Sequence, residues 1–566
     1  YLSSIHIYIC GYLFFLIFIN NKISNNYNIF ELGIFGAFAL SFIGLFFNFF
    51  TSLDKIFNTI IFLLPIILFL FFFNKRFIKL FLLFSIPVSI LLTLTMSYDG
   101  TYRPDAGLYH LPFISILNEN KIIIGINNIH FRFGHISIMQ YLSAIYNNFI
   151  FGDKGITIPV GIIFCNFLGY CLIELIRKKN SNMLKIFIFI IIIFILFRVN
   201  RYSDFGNDAP ANLLFFYIII ESLKGNNGLL KIKKTIIAST FIFLNKITLL
   251  LAFFIPFFYI IKNFKIEYLI NKLSIFSFIF ILFFLGKNLL ISGCLVFPLE
   301  QTCFKNLYWY DANSNRGSNA YNARVENEAW TKGWVNQVEN KKNYTEYLNN
   351  YTWIKTWLSS EGKTITKKLL PFSIFIFALI IILKTYEIRV NKYIKNKDRE
   401  SNETNTHKNF YLCFFISFIG CIIWFLKFPV FRYGYGYLIS TTGLLISFYC
   451  VNFKFFSNRK KFVEVMKYLI FFVIFLVTIK NFVRIYEGID KNKSVWPNIY
   501  NSGNSFKKKD NLEILKNNEV FFYKSKKGEC YYSKSPCTHY YNGTDFTLDE
   551  ISINNFKGYK IYFFIK

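Results

Sequence analysis

The sequence predicts an all-α polytopic membrane protein with about fourteen transmembrane helices, helices in its outer-face loops and a small α+β C-terminal extramembrane domain. Three observations predict it. Of 566 residues, 54% are hydrophobic, 21% aromatic and only 17% charged, whereas soluble domains carry about 25% charged residues. Apolar runs of about 20 residues recur, the length that about 30 Å of hydrocarbon requires. Lys and Arg collect in short segments between those runs, as they do in cytoplasmic loops. That placement also explains the net charge of +31. No helix-turn-helix or RNA-binding pattern accompanies the charge, so nucleic acid is not an expected partner. The chain opens on Tyr1, and no cleaved signal peptide is visible.

Spans are expected at 1–19, 30–50, 56–73, 76–96, 154–177, 184–199 and 208–223. Further spans are expected at 234–245, 247–261, 272–292, 367–384, 409–427, 433–452 and 466–482. The basic loops at 74–79, 177–185, 231–234, 262–272, 384–408 and 454–461 share one side only if 234–261 crosses twice. That run therefore reads as a hairpin of two short helices with Asn245 and Lys246 at its outer tip. One long tilted helix is the alternative, and it would place residues 293–366 inside.

Three large outer segments follow: a first loop (97–153), a Trp-rich loop (293–366) and a tail from 483 to 566. Cys294 and Cys303 lie close together in the second, Cys530 and Cys537 in the third. Paired cysteines in polar segments suit disulfides in an oxidising compartment. The tail reads as a small domain, with strand-like runs at 519–525 and 559–565. The segment 385–408 reads as a polar linker.

The stretch RPDAGLYHLPFISILNENKIIIGINNIHFRFGH (103–135) sets Asp105, His110, Arg132 and His135 beside apolar runs. From Asp105 to Asn118 the pattern suits an amphipathic helix on the membrane surface, and 131–146 suits a second one. Two readings of Asp105 stand. It can cap that helix, with Tyr109 and His110 in the interfacial belt. It can instead accept a proton from a hydroxyl at the water–lipid boundary, with Arg132 holding a phosphate.

The order of features resembles the GT-C superfamily of membrane glycosyltransferases, which take sugars from polyprenyl-phosphate carriers. DAGLYHLP, the turn ending in FRFGH and ISIMQYLSAI match that family's first outer loop. SDFGNDAPANLLFFY (203–217) matches its acid–Pro span opening through Asp208 and Pro210, and FIFLNKITLLLAFFIP (241–256) its Lys-bearing hairpin through Lys246. Together these cover residues 76–292, with residues 1–75 as extra N-terminal spans and 367–482 as the C-terminal spans. Arg-Phe-Gly stands where some members have His-Pro-Pro. The chain also resembles a group of bacterial multipass proteins sharing ISGCLVFP…TCF, ENEAWTKGW and a GEC…PC tail, a resemblance that names no reaction.

The GT-C resemblance implies a GT-C-like fold and inverting transfer of a sugar from a lipid-linked donor to a glycan, lipid or protein acceptor of the cell envelope. The site would lie at the outer face of a bacterial plasma membrane. Asp105 would be the general base and Asp208 a second acid. Lys246, Arg432 and Arg132 would bind the donor phosphate, and a Mg or Mn ion could join Asp105, Asp208 and His110. Tyr109, His110, Trp330 and Trp334 would contact acceptor or sugar. Each has a plainer reading: Lys246 snorkelling to water, Arg432 as an interfacial anchor, Asp208 as a helix cap, the tryptophans as an interfacial belt. Five of the seven Trp lie in 293–366, beside Asp311, Glu326 and Glu328. Arg198 and Arg201 read as anchors, and Asp204 as a lesser counterpart of Asp208. No Walker, dinucleotide or zinc signature occurs in the sequence. The alternatives are a surface-polysaccharide polymerase or ligase, a lipid-linked glycan transporter or flippase, and an assembly scaffold.

Overall fold

The computed structural model describes residues 1–19, 28–71, 75–99, 104–199, 205–224, 228–263, 266–311, 319–336, 343–349, 351–390, 404–451, 459–491, 493–500, 512–517, 520–525, 529–538 and 551–564. Arg201 and Asp204 lie outside them, as does most of the linker.

The protein is a multipass helical membrane protein. Seven helices among the described residues are long and apolar enough to cross a membrane, and shorter apolar helices accompany them. The N-terminal group is α1 (Leu2–Phe14), α2 (Ile29–Asn48), α3 (Lys55–Phe71) and α4 (Lys75–Met96). Asn28 caps α2 by accepting from the Phe30 amide at 3.2 Å. A Cβ on Gly11 would lie 1.8 Å from the Leu32 carbonyl oxygen, so only glycine lets α1 approach α2 this closely.

The first loop folds into α5 (Leu111–Glu119) and α6 (Ile138–Ile145). Both are buried rather than lying on the membrane surface as amphipathic elements. The second begins at Ile138, not 131, because Ser137 and Gln140 form a capping box there. What covers them is the tail. Ser115 donates to the Ser533 carbonyl at 2.5 Å, the Ser535 amide donates to Glu119 at 3.0 Å, and Tyr532 donates to Asn118 at 3.0 Å. The Tyr562 amide donates to the Ile124 carbonyl, and the Ile124 amide to the Lys560 carbonyl, each at 2.9 Å.

Next come α7 (Ile158–Ile176), α8 (Asn182–Phe197), α9 (Asp208–Leu223) and α10 (Leu229–Asn245). Most residues of all four are buried. After Lys246 the chain turns back through a 3₁₀ segment (Ile247–Phe253) into α11 (Phe254–Asn263). Ser239 donates to the Ala252 carbonyl at 3.1 Å and Lys231 lies over the Tyr259 ring. The run is thus a hairpin with Lys246 at its tip, and its first leg starts earlier than 234.

The short α12 (Ile266–Leu269) leads to α13 (Lys272–Ser292). The Trp-rich loop contains α14 (Asn319–Thr331) and α15 (Tyr344–Asn349). It ends sooner than 366, because α16 (Trp353–Trp357) and a π-turn run directly into α17 (Lys363–Val390). Last come α18 (Thr404–Lys427), α19 (Phe431–Cys450) and α20 (Arg459–Asp490), which carries the final helix past 482. The tail forms β1 (Leu512–Asn517), β2 (Val520–Ser525) and β3 (Cys537–Thr538) in one sheet, and β4 (Ile551–Phe556) with β5 (Tyr559–Phe564) in another. Cys294–Cys303 and Cys530–Cys537 are disulfides.

The three large segments meet on one face. Besides the tail contacts, Asn327 bonds His135 at 3.0 Å and Asn128 donates to the Trp309 carbonyl at 2.9 Å. The opposite face carries the basic turns, such as exposed Lys178 and Lys179. Between the faces, α3, α4, α17 and α20 expose side chains such as Leu64, Leu83, Phe377 and Phe471. Such an apolar band suits contact with hydrocarbon.

Candidate functional site

The site forms where four loop-face ends meet. Asn207 occupies the N-cap position of α9, and Asp208 sits in the first turn, where the helix dipole favours a carboxylate. Asp208 is therefore not the cap, and its side chain is free to face outward from the helix. Buried Asn212 donates to the Asp208 carbonyl at 2.7 Å and to the Arg432 carbonyl at 3.1 Å. It also accepts from the Gly436 amide at 2.7 Å. One amide thereby ties the start of α19 to the start of α9. A Cβ on residue 436 would come within 2.7 Å of the Asn212 oxygen, so glycine permits the joint. Asn207 donates to the Asn245 carbonyl at 2.7 Å and fixes the hairpin tip beside α9.

These ties align five charges in alternating order. Arg132 meets Asp105 at 3.4 Å, and Arg432 contacts the other oxygen of Asp105. Arg432 also meets Asp208 at 3.6 Å, and Asp208 meets Lys246 at 2.6 Å. Lys246 lies 3.5 Å above the Tyr433 ring, and Arg132 lies 5.4 Å from the centre of the Tyr109 ring. Asp105 makes no capping hydrogen bond, so the helix-cap reading does not hold for its side chain. Lys246 and Arg432 are ion-paired and do not reach out to water alone. Both carboxylates are about one-fifth exposed and Arg432 is 41% exposed, which leaves the row open to a ligand.

Burial pushes the Asp105 carboxyl up. Arg432, His110 and Arg132 more than offset this and hold it below the ordinary carboxylate value. Burial also drives His135 down to about 3, helped by the charges of Arg132, Lys246 and Lys287. His135 is therefore a neutral imidazole, bonded to Asn327. Burial raises the Tyr109 hydroxyl well above its ordinary value, and Asp105 adds to the effect.

The residue row and hairpin all fall within residues 1–439, which match the model of a Domain of unknown function (DUF8201). The chain belongs to the DUF8201 family. No curated protein and no solved structure matches it. The tail that covers the first loop lies wholly beyond the DUF8201 match, yet it touches that loop through Gly107, whose carbonyl accepts from the Tyr531 amide at 2.9 Å.

Not every candidate residue joins the row. His110 is buried and bonds Gln140 at 2.5 Å, so it supports the loop from within. Trp330 and Trp334 pack on each other, and Trp334 packs on Tyr344, in a separate cluster. Glu328 is held by Lys332 at 2.7 Å. No group of three or more His, Cys, Asp and Glu able to hold a metal occurs among the described residues. Of the donors considered for Mg or Mn, Asp105 and Asp208 are ion-paired with Arg132, Arg432 and Lys246, and His110 bonds Gln140.

Two features of this DUF8201 chain went unread in its sequence. One is Lys287, fully buried in α13, which donates to the Ile136 carbonyl at 2.9 Å. An ionisable residue inside an apolar span is itself the signal, since insertion of a mid-bilayer Lys costs about 2.5–3.5 kcal/mol. The other is a second ionic network toward the basic face. Lys234 donates to both Glu31 oxygens at 2.7 Å, Tyr217 donates to Glu31 at 2.7 Å, and Lys224 joins Glu174 at 3.1 Å and also contacts Glu221. It locks α2, α7, α9 and α10 together.

Proposed function

We propose that the protein is an inverting GT-C-type membrane glycosyltransferase acting at the outer face of a bacterial plasma membrane. It moves a sugar from a polyprenyl-phosphate-linked donor to a cell-envelope glycan, lipid or protein acceptor. The observation that carries this reading is Arg432 bridging Asp105 and Asp208, with Lys246 closing the row at the hairpin tip. The chemistry needs a base beside cations that face a lipid-accessible boundary, and the row supplies both. Disulfides on the loop face suit the oxidising side, and basic turns on the other face suit the cytoplasm. On this reading the helices make about fourteen crossings, the hairpin legs included.

In the resting state Asp105 is a weak base, because Arg432 and Arg132 stabilise its charge. A donor phosphate competes for the same guanidinium groups. As they turn to the phosphate, the Asp105 carboxylate loses its partners and its proton affinity rises. It then takes the acceptor hydroxyl proton. The acceptor oxygen attacks the anomeric carbon from the face opposite the phosphate, the carbon–oxygen bond to the phosphate breaks, and its electron pair leaves on the phosphate oxygen. Arg432, Arg132 and Lys246 stabilise that growing charge. Asp208 holds Lys246 and Arg432 in place.

A polymerase or ligase of surface polysaccharide is the second reading, favoured by the central position of Arg432. Purified protein with a lipid-linked sugar and an acceptor separates the two. Asp105→Asn is expected to abolish transfer without loss of fold, and undiminished turnover would remove the base assignment. Loss with Arg432→Ala but not with Asp105→Asn would favour the polymerase or ligase.

A further inference from the structure

The loop-face ends of α8 and α17 bring two cations to one ring. Arg198 closes α8, and its guanidinium lies 4.4 Å from the centre of the Phe431 ring and 5.8 Å from that of Tyr435. Lys368, in the first turns of α17, holds its ammonium 5.9 Å from the centre of the same Phe431 ring. The rings keep the guanidinium over protein instead of leaving it to reach into bulk water. Arg198 is partly exposed and Lys368 is exposed, so a ligand can approach both. Lys363 and Lys367 add positive charge to the start of α17, against Glu361 just before it. Arg201 and Asp204, next along the chain from Arg198, are of opposite sign. These stretches are net positive by sequence.

Below the two cations lies an apolar surface. Phe197, Leu370 and Phe377 are 40%, 52% and 66% exposed. The helices pack through Phe194 on Phe372 and Phe197 on Phe375. Deeper on this seam a shallow apolar groove opens, lined by Ile190 of α8, Ile376 and Leu379 of α17 and Ile446 of α19. Ile190 lies about 12 Å along α8 from Arg198, and Ile376 as far along α17 from Lys368, at 1.5 Å per residue. That depth falls inside the about 15 Å of one leaflet. Cations at the boundary above an apolar seam suit a molecule with an anionic head and a hydrocarbon chain behind it. We propose that Arg198 and Lys368 bind the headgroup phosphate of an anionic membrane phospholipid, whose acyl chain follows the α8–α17 seam. Phe431 directly precedes Arg432, so the lipid braces the start of α19. The proposal stands apart from the reading of the Asp105 row as a transferase site.

Native mass spectrometry of the purified full chain released from detergent micelles tests it, with dioleoylphosphatidylglycerol and dioleoylphosphatidylcholine as probes. Both probes carry the same chains and a phosphate, and only the first is anionic overall. The double variant Arg198→Gln/Lys368→Gln is expected to bind phosphatidylglycerol about tenfold more weakly, the scale of one charge-assisted hydrogen bond, with phosphatidylcholine unchanged. Lys368→Arg should bind as the wild type does. Lys178→Gln, on the basic face, measures the effect of removing any one charge and should cost less than about twofold, as for an exposed charge. Phosphatidylglycerol binding unchanged in the double variant overturns the site, as does a loss no larger than that of Lys178→Gln. Equal wild-type affinity for the two lipids overturns it as well. Farnesyl phosphate at equal concentration displacing most of the phosphatidylglycerol from the wild type would hand the site to an isoprenoid phosphate and overturn the phospholipid. Should Arg198→Gln not fold, exposed Lys368→Gln decides alone, with a loss beyond that of Lys178→Gln expected.

Discussion

Arg432 touches two carboxylates that lie more than one hundred residues apart in the chain, Asp105 of the first loop and Asp208 at the start of α9. A guanidinium with donors on several edges can hold both at once, and a lysine ammonium in its place cannot reproduce that planar fork. Arg432→Lys is therefore expected to behave like a loss of function. Sugar transfer should fall by about 10²-fold or more, the scale of one electrostatic contact in a preorganised site. Thermal stability should change little at so open a position. Parallel assays of transfer and melting temperature check this.

The Asp208–Lys246 pair offers a coupling test. Asp208→Asn and Lys246→Met each break a 2.6 Å contact, and Tyr433 packs on the same ammonium. The double variant should be less impaired in transfer than the product of the two singles predicts, with an interaction energy of about 0.5–3 kcal/mol. Strict additivity would show that the two do not act together.

The acid side of the pH profile carries a signed expectation. Asp105 sits below its ordinary value of 3.8 in the folded protein. Its contribution to stability is thus present above that value and is lost as pH falls through the depressed one. In protein without donor, titration of Asp105 should be complete only below 3.8, and Arg432→Ala should move the midpoint upward. Infrared detection of the carboxyl stretch in isotope-labelled protein reads it directly. A midpoint unmoved by Arg432→Ala would show that the ion pair does not hold the charge.

Removing one partner of the network toward the basic face should cost far more than removing a surface ion pair. Glu31 is 1% exposed and Lys234 7%. Lys234→Met leaves Glu31 buried without its cation, a loss of about 3–5 kcal/mol. Adding Glu31→Gln to Lys234→Met should recover part of it. Unfolding in a mixed-micelle denaturant series checks both.

Sidedness can be read by labelling. Tyr308→Cys lies on the loop face and Lys178→Cys on the basic face, both exposed. A membrane-impermeant maleimide added to intact cells should mark the first and not the second. The reverse pattern would turn the whole site to the cytoplasm.

The sequence made some of this architecture legible and hid the rest for one reason. A charge at the end of an apolar run stands out wherever its partner lies, so Asp105, Asp208, Lys246 and Arg432 could be singled out. The hairpin was readable because charge bias demanded an extra crossing. The burial of α5 and α6 was not readable, because their amphipathic pattern faces a tail some four hundred positions away. Lys287 and Glu31 lie within greasy spans where a single polar letter is easily passed over. The tryptophans were grouped by composition, yet Trp330 and Trp334 find their contacts locally.

The pairing of Ile124 with the 560–562 strand sets an order of events during biosynthesis. Residue 124 leaves the ribosome long before residue 561, so the first loop crosses to its compartment with those amides still dry-docked against nothing but solvent. The helix that bears Asp105 reaches its finished setting only after translation of the far strand. A premature stop codon upstream of residue 529 would remove the contacts that residues 531–535 and 560–562 make with the loop carrying Asp105.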